Sequence, residues 1–337
     1  MGYDLGFAKS YLEGKWDYND LPSLFTYLAN KSTGSQPAFL ANLAPQKIVA
    51  RAVQALRSSN SLSWSRRNIS AHYDLSNDFF SNFLDASMTY SCAVFDKTEN
   101  TLEEAQYNKI RSLIQGAKTS ANDSILDIGC GWGGLSRTAA AEFGANVTAV
   151  TLSLAQFKYA VNLFRNQGLE DRIKLLNTDY RLLQGQYNHI FSVEMLEAVG
   201  HRGTSEFFGK CSSLLKPGGT LQIQVITIPD ERYHLYRRNC DFIQKFIFPG
   251  GLLLSPDLVR NEAIKAGFLV QKERKIGRHY ITTLQHWRKN LVENKDKITQ
   301  LGFEERDYRR FIYYFSYCEG AFNSGRVDDY QFFLRKV

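Results

Sequence analysis

The chain has 337 residues, 44% of them hydrophobic, with a formal net charge of +7 and a pI near 9.0. That length suffices for one large domain with additions or for two, and the apolar fraction excludes a disordered chain. There is no apolar run of about eighteen residues, and charge stands at the N-terminus where a secretory signal carries an apolar stretch, so the expected compartment is the cytoplasm. Cys92, Cys130, Cys211, Cys240 and Cys318 are scattered without Cys-x-x-Cys or Cys/His metal spacing, which predicts reduced thiols and no metal. The positive charge favours an anionic partner. Aromatic content of 13% and the apolar run FIFPGGLLLSP (246–256), bordered by basic RYHLYRR (232–238), favour a lipid surface over nucleic acid.

In chain order, residues 1–60 read as a polar helical segment broken by the loop-like KSTGSQPA (31–38). Residues 61–123 are aromatic and irregular except for one helix, TLEEAQYNKIRSLIQGA, opened by a Thr101/Glu104 capping box. Strands and helices then alternate: SILDIG, a helix over 133–143, NVTAVT, a helix over 153–167, IKLLN, HIFSVEM, a helix over 203–215, and TLQIQVITI after a KPGG turn. Such alternation predicts an α/β fold, a doubly wound and mostly parallel sheet whose strand ends hold the ligand. An aromatic and basic insertion at about 229–265 reads as a lid, followed by FLVQKERKIG, two helices and a closing strand, YQFFLRK. Residues 61–337 form the expected catalytic domain.

The stretch DIGCGWGG places Gly129, Gly131, Gly133 and Gly134 between the first strand and its helix. Glycines there let the backbone approach a ligand, and the helix N-terminus favours negative charge. Gly129, Gly131 and Gly134 match G-x-G-x-x-G, yet an NAD site requires an acid about twenty residues on, and Thr151 stands where it belongs. Asp127, just before the turn, suits a cationic group, so S-adenosylmethionine (AdoMet) is the preferred cofactor.

Several separated segments, among them AHYDLSNDFFSNFLDASMTYSCAVF (71–95), LDIGCGWGG, SVEMLEAVGH (192–201), IPDERYHLYRRNCDFIQKFIFPGG and YYFSYCEGAF (313–322), resemble the cyclopropane-fatty-acyl-phospholipid synthases and related mycolic acid methyltransferases. The resemblance implies a Rossmann-like class I AdoMet-dependent methyltransferase with an α-helical lid, residues 1–60 being a remnant of the family's N-terminal helical domain. It implies AdoMet contacts from Tyr90, Ser91, the turn with Trp132, Thr151, Leu152, Gln156, Tyr180 and Arg181. The implied reaction is methylene transfer to a cis double bond of phospholipid acyl chains, closed to a ring by a bicarbonate base held by Cys92, Glu197, Ile226, Tyr280 and a histidine whose place Gln224 takes. A glutamine amide donates a hydrogen bond but carries no charge. Methylation without ring closure, of a lipid or a small amine, is the alternative.

From the residues themselves, Glu197 in apolar MLEAVG is a costly carboxylate that signals function, with Glu194 as its competitor. Cys318 lies in a C-x-G-A-F segment, and since alkene methylation needs no thiolate it reads as structural. The expected partners are unsaturated phospholipids at the inner face of a membrane, without nucleic acid; a homodimer stays open.

Overall fold

The structure is a computed structural model and describes residues 3–31, 75–97 and 100–337. The KSTGSQPA stretch beyond Lys31 and the start of the aromatic region at 61–74 lie outside the described residues. Helices α1 (Tyr3–Leu12), α2 (Leu21–Lys31), α3 (Asn77–Ser81) and α4 (Leu102–Gly116) precede the sheet. The capping box expected on α4 is formed, Glu104 N–H donating to Thr101 Oγ1 at 3.2 Å and Thr101 N–H to Glu104 Oε2 at 2.8 Å.

The predicted alternation then follows as β1 (Ser124–Ile128), α5 (Gly134–Phe143), β2 (Asn146–Val150), α6 (Leu154–Asn166), β3 (Ile173–Leu176), β4 (Tyr187–Val193), α7 (Gly200–Leu214) and β5 (Leu215–Thr227). All of β1 after Ser124 is buried, as a parallel strand covered on both faces must be. One departure lies at KPGG. Strand β5 begins before that turn, at Leu215, and Gly218 in the left-handed region (φ 72°) lets it bulge, shifting the register between Tyr187 and His189.

The seven strands run in the order β3-β2-β1-β4-β5-β7-β6, with β3 to β5 parallel. The last strand, β7 (Asp328–Lys336), inserts antiparallel between β5 and β6 (Phe268–Lys275), pairing Ile226 with Asp329 and Gln224 with Gln331. Strand order reverses between β1 and β4, so their carboxyl ends open a crevice at the switch point. Asp127 sits near the end of β1 and Glu194 just beyond the end of β4, on opposite banks of that crevice.

Two apolar clusters fill the faces of the sheet, and a third, rich in aromatics, lies beyond the strand ends. This third core joins Phe79, Phe80 and Phe83 to Trp287, Phe311 and Phe315, and so unites α1 to α3 with α9 (Phe242–Phe246), α11 (Gly277–Glu293), α12 (Lys295–Gln300) and α13 (Glu305–Asn323) as a helical cover over the crevice, while α8 (Asp230–Tyr236) and α10 (Pro256–Lys265) pack into a sheet-face cluster through Tyr236, Val259 and Ala263. Arg309 of α13 holds the α1–α2 turn by donating to the carbonyls of Tyr11 at 2.8 Å and Trp16 at 2.9 Å. The loop within FIFPGGLLLSP faces inward: Leu254 is fully buried, and its carbonyl accepts from Ile228 N–H at 2.9 Å. Phe248, Leu252 and Leu253 of this run line the crevice.

Candidate active site

A single cavity of about 1030 Å³ runs from the glycine turn, past the end of β4, to an apolar chamber under α2. Gly129, Gly131 and Gly133 all take positive φ (78°, 56° and 96°), and the N–H groups of Gly129 and Cys130 donate to Val150 carbonyl, both at 3.0 Å. They serve different ends. A Cβ at Gly131 would meet nothing, so its backbone is open to a ligand, whereas one at Gly133 would lie 2.6 Å from the Phe164 ring. Gly133 is therefore the one turn residue expected at the cofactor that instead packs helix on helix, and it is absent from the cavity wall. Gly129, Gly131, Trp132 and Gly134 line the cavity. Trp132 also donates its indole N–H to Asn77 at 2.8 Å, tying α3 to the turn.

Asp127 is 2% exposed, and its carboxylate accepts from Ser136 hydroxyl at 2.6 Å. Burial raises its carboxyl to about 6, offset in part by that bond. A cationic ligand group beside it restores the ionised form. Opposite lies Lys109 of α4, 1% exposed, which sequence reading did not single out. Its ammonium donates to Ser91 Oγ at 2.6 Å, and burial pulls its pKa down. The cavity thus presents a buried carboxylate and a buried ammonium, complementary to an amino-acid zwitterion.

Beyond β2, Thr151 hydroxyl donates to Gln156 Oε1 at 2.8 Å, and both line the cavity with Leu152. Tyr180 and Arg181 line it too, and Asp179 holds Arg181 in a fork at 2.8 and 2.7 Å. Asp179, missed in the TDYRLL segment, follows β3 and is itself in the cavity wall. Tyr90 donates to Tyr314 hydroxyl at 3.2 Å, at the border of the apolar part.

The middle of the cavity is a cluster of carboxyls. Glu194 accepts three hydrogen bonds, each 2.8 Å: Oε1 from Cys92 N–H and Gln224 Nε2, and Oε2 from Tyr280 hydroxyl. Three of the residues expected around bicarbonate thus give their donors to Glu194. Gln224 is fully buried in β5, and its amide also reaches Cys92 carbonyl at 3.3 Å and accepts from Gln331 at 3.0 Å, so it buttresses the site from behind the wall. Cys92 is fully buried, with Sγ directed to Ala93 and Ile276 carbonyls and its thiol pushed up by desolvation. It contributes backbone and not sulfur. Tyr280 stacks on Phe322 at 4.5 Å.

Glu197 points to the same cavity from one turn later. Oε1 accepts from Ile226 N–H at 2.6 Å, while Oε2 is buried without a partner among the described residues. Desolvation first, and then the Glu194 charge, raise its carboxyl to about 8, so at neutral pH it is a protonated acid and a hydrogen-bond donor. Asp329 of β7 is fully buried behind both, and its carboxyl is pushed well up, first by burial and then by Glu194. Cys318 lines the cavity with its thiol pushed up by burial, which fits the structural reading.

The chamber beyond is apolar: Leu24, Phe25 and Leu28 of α2 face Ile243, Phe248 and Leu253 of the cover. Arg232 and Arg326 stand at its edge, with Arg232 donating to Arg326 carbonyl at 3.2 Å and Arg326 to Ala29 carbonyl. No described helix is long and apolar enough to cross a membrane.

Residues 60–332 match the family model of mycolic acid cyclopropane synthetase. The chain belongs to that family. It is 37% identical over 338 residues to tuberculostearic acid methyltransferase UfaA1 of Mycobacterium tuberculosis, covering 98% of this chain and 78% of that protein. It is 34% identical to the cyclopropane mycolic acid synthase MmaA2 of the same organism, covering 80% of this chain and 96% of MmaA2. Among solved structures, mycolic acid cyclopropane synthase CmaA1 complexed with SAH and CTAB superposes with a TM-score of 0.76 at 32% identity, over 80% of this chain and 98% of that one. The resemblance and the class I methyltransferase fold read from the sequence are thereby established, and the family members named here are lipid-modifying methyltransferases and cyclopropane synthases.

Proposed function

We propose that this chain transfers the methyl group of AdoMet to a carbon of a cis double bond in a lipid acyl chain. The observation that carries the reading is the continuity of the cavity: a zwitterion-binding polar end, a carboxyl cluster and an apolar chamber share one wall. Asp127 suits the ammonium of the methyl donor and Lys109 its carboxylate, Tyr90 and Ser91 suit the methionine arm, and Thr151, Gln156 and Asp179 offer polar groups to the nucleoside. When bound, the donor supplies an electrophilic methyl carbon.

An alkene is a weak nucleophile, so the protein's work is alignment and exclusion of water from the cation that forms. Tyr280 and Tyr314 line the cavity, and an aromatic wall stabilises a carbocation through its π electrons. The chamber under α2 suits the chain on one side of the double bond. Proton loss then fixes the product: from the added methyl it closes a cyclopropane ring, and from the chain it leaves a methylated chain that is still unsaturated. UfaA1, named as a methyltransferase and matched along nearly the whole chain, favours the second outcome; MmaA2 favours ring closure.

Phospholipids at the inner face of a membrane are the proposed source of acyl chains. His234, Leu235, Arg238 and Lys245 are exposed, Leu235 at 69%, and supply basic and apolar groups suited to an anionic surface. Residues 61–337 are the proposed catalytic unit, with α1 and α2 completing the chamber.

The test is lipid analysis of a bacterial host that makes cis-monounsaturated phospholipids and expresses the chain. Fatty acids enlarged by one CH₂ that still add hydrogen under mild catalysis support methylation without closure. Saturated products with the upfield proton signals of a cyclopropane support closure. An unchanged acyl profile refutes the function.

A further inference from the structure

We infer that Glu194 is a built-in carboxylate base, performing within the chain the task for which bicarbonate was expected, so that the enzyme works without a bound anion. This rests on the reading of acyl-chain methylation given above. Glu194 follows β4 in the left-handed region (φ 48°), which costs a residue with a Cβ about 1–2 kcal/mol. The surroundings hold it there: its own N–H donates to Gln224 carbonyl at 2.8 Å, and its side chain takes the three donors described above. Strain of this kind persists where the neighbours over-determine it, and such places are enriched at functional sites.

Chemistry selects Glu194 among the three carboxyls. Glu197, raised to about 8, holds its proton at neutral pH, and Asp329, its carboxyl pushed up by burial, is fully buried in β7 and absent from the cavity wall, so neither is placed to take a proton from substrate. Glu194 accepts from a main-chain N–H, an amide and a phenol, a set that fits an anion and would hold a small oxyanion equally well if the side chain were gone. Lys109, buried nearby, interacts with Glu194 through its charge. Glu194 also borders the cavity, between the glycine turn and the apolar chamber.

The step balances as follows. The alkene π pair forms a bond to the methyl carbon as that carbon's bond to sulfur breaks, leaving neutral thioether and a carbocation in the chain. Glu194 takes one proton, either from the added methyl, one carbon removed from the cationic centre, so that the C–H electron pair becomes the C–C bond that closes the ring, or from a chain carbon next to the cation, so that the pair becomes a C=C bond. After product leaves, the carboxyl returns its proton to water. No oxidant or reductant is needed.

The experiment compares wild type, Glu194→Gln and Glu194→Gly, each folded as judged by thermal melting and S-adenosylhomocysteine binding. The glycine variant relieves the positive φ, so it folds even if the glutamine variant does not. First, ¹³C-bicarbonate binding is followed by NMR in the presence of S-adenosylhomocysteine, which needs no lipid and no turnover. Binding to Glu194→Gly but not to wild type supports the inference; stoichiometric binding to wild type overturns it. Second, methyl transfer to vesicles of cis-monounsaturated phosphatidylglycerol is measured in carbonate-free buffer with and without added bicarbonate. The inference expects an unchanged wild-type rate, a loss of about 100-fold or more in Glu194→Gln, and at least about tenfold recovery of Glu194→Gly by bicarbonate. A wild-type rate that depends on bicarbonate, or an active Glu194→Gln, refutes it. If wild type transfers no methyl to lipid, the proposed function fails, and the binding arm still decides the role of Glu194.

Discussion

Replacing Glu197 by glutamine should stabilise the protein, and increasingly so as pH rises. The glutamine keeps an oxygen for Ile226 N–H and puts an NH₂ where the protonated carboxyl carries its hydrogen. Moving a carboxyl from 4.5 in the unfolded chain to about 8 in the native one disfavours the ionised native state by on the order of 5 kcal/mol. The sign follows from proton uptake. Between those two values the native state binds the proton and the unfolded state does not, so wild-type stability declines as pH climbs through the window and the decline ends above about 8. At pH 7 the deficit is about 3 kcal/mol, and the glutamine variant lacks it. Urea unfolding of both proteins at half-unit steps from pH 5 to 8.5 measures the difference directly. The curves should lie within about 1 kcal/mol at pH 5 and diverge by several kcal/mol at pH 8. Parallel curves would refute the assignment of Glu197 as a neutral acid, and with it the ground for setting Glu197 aside as the base. The same variant should retain methyl transfer at pH 7 to within about tenfold, since it mimics the protonated side chain.

Other substitutions probe the rest of the cavity. Lys109→Met should weaken S-adenosylhomocysteine binding by about 10–100-fold through loss of a charge-assisted hydrogen bond, without lowering the melting temperature, because a buried ammonium is removed in exchange; calorimetry and thermal melting together check it. Wild-type affinity for S-adenosylhomocysteine should fall as pH drops below about 6, where Asp127 protonates and can no longer face the ammonium, while Asp127→Asn binds weakly with a flat profile between pH 5 and 8. Gly320→Ala places a Cβ 2.6 Å from Phe25 Cβ and 2.8 Å from Thr26 N, pushing α2 off α13 at a cost of about 1–3 kcal/mol. Titration should show a raised KM for lipid with S-adenosylhomocysteine affinity intact, because α2 walls only the chamber.

Much of this was legible because it is local. The five parallel strands are short apolar runs between turn signals, and the α4 capping box depends on Thr101 and Glu104 alone. The glycine turn and its Asp127 also announced themselves, and Thr151 argued correctly against a dinucleotide acid at the end of β2. What escaped depends on distant pairing. Asp329 enters the site because β7 inserts between β5 and β6, which no local pattern encodes. Lys109 sits in an amphipathic helix where lysine ordinarily faces water, and Asp179 follows a strand that carried no motif. Glu194 and Glu197 lie three residues apart in one segment; the left-handed turn at Glu194 decides which meets Tyr280. The apolar 246–256 run reads as a membrane loop until the pairing of Thr227 with Leu254 shows it folded inward.

The central claim is that one cavity brings a methyl donor and an acyl double bond together. Incubating the purified chain with methyl-¹³C-labelled AdoMet and cis-monounsaturated phosphatidylglycerol vesicles, then hydrolysing the lipid, tests it most directly. The label should appear in the fatty acid, on the carbons of the former double bond. Label confined to the headgroup, to a water-soluble amine or to unreacted donor would contradict the account.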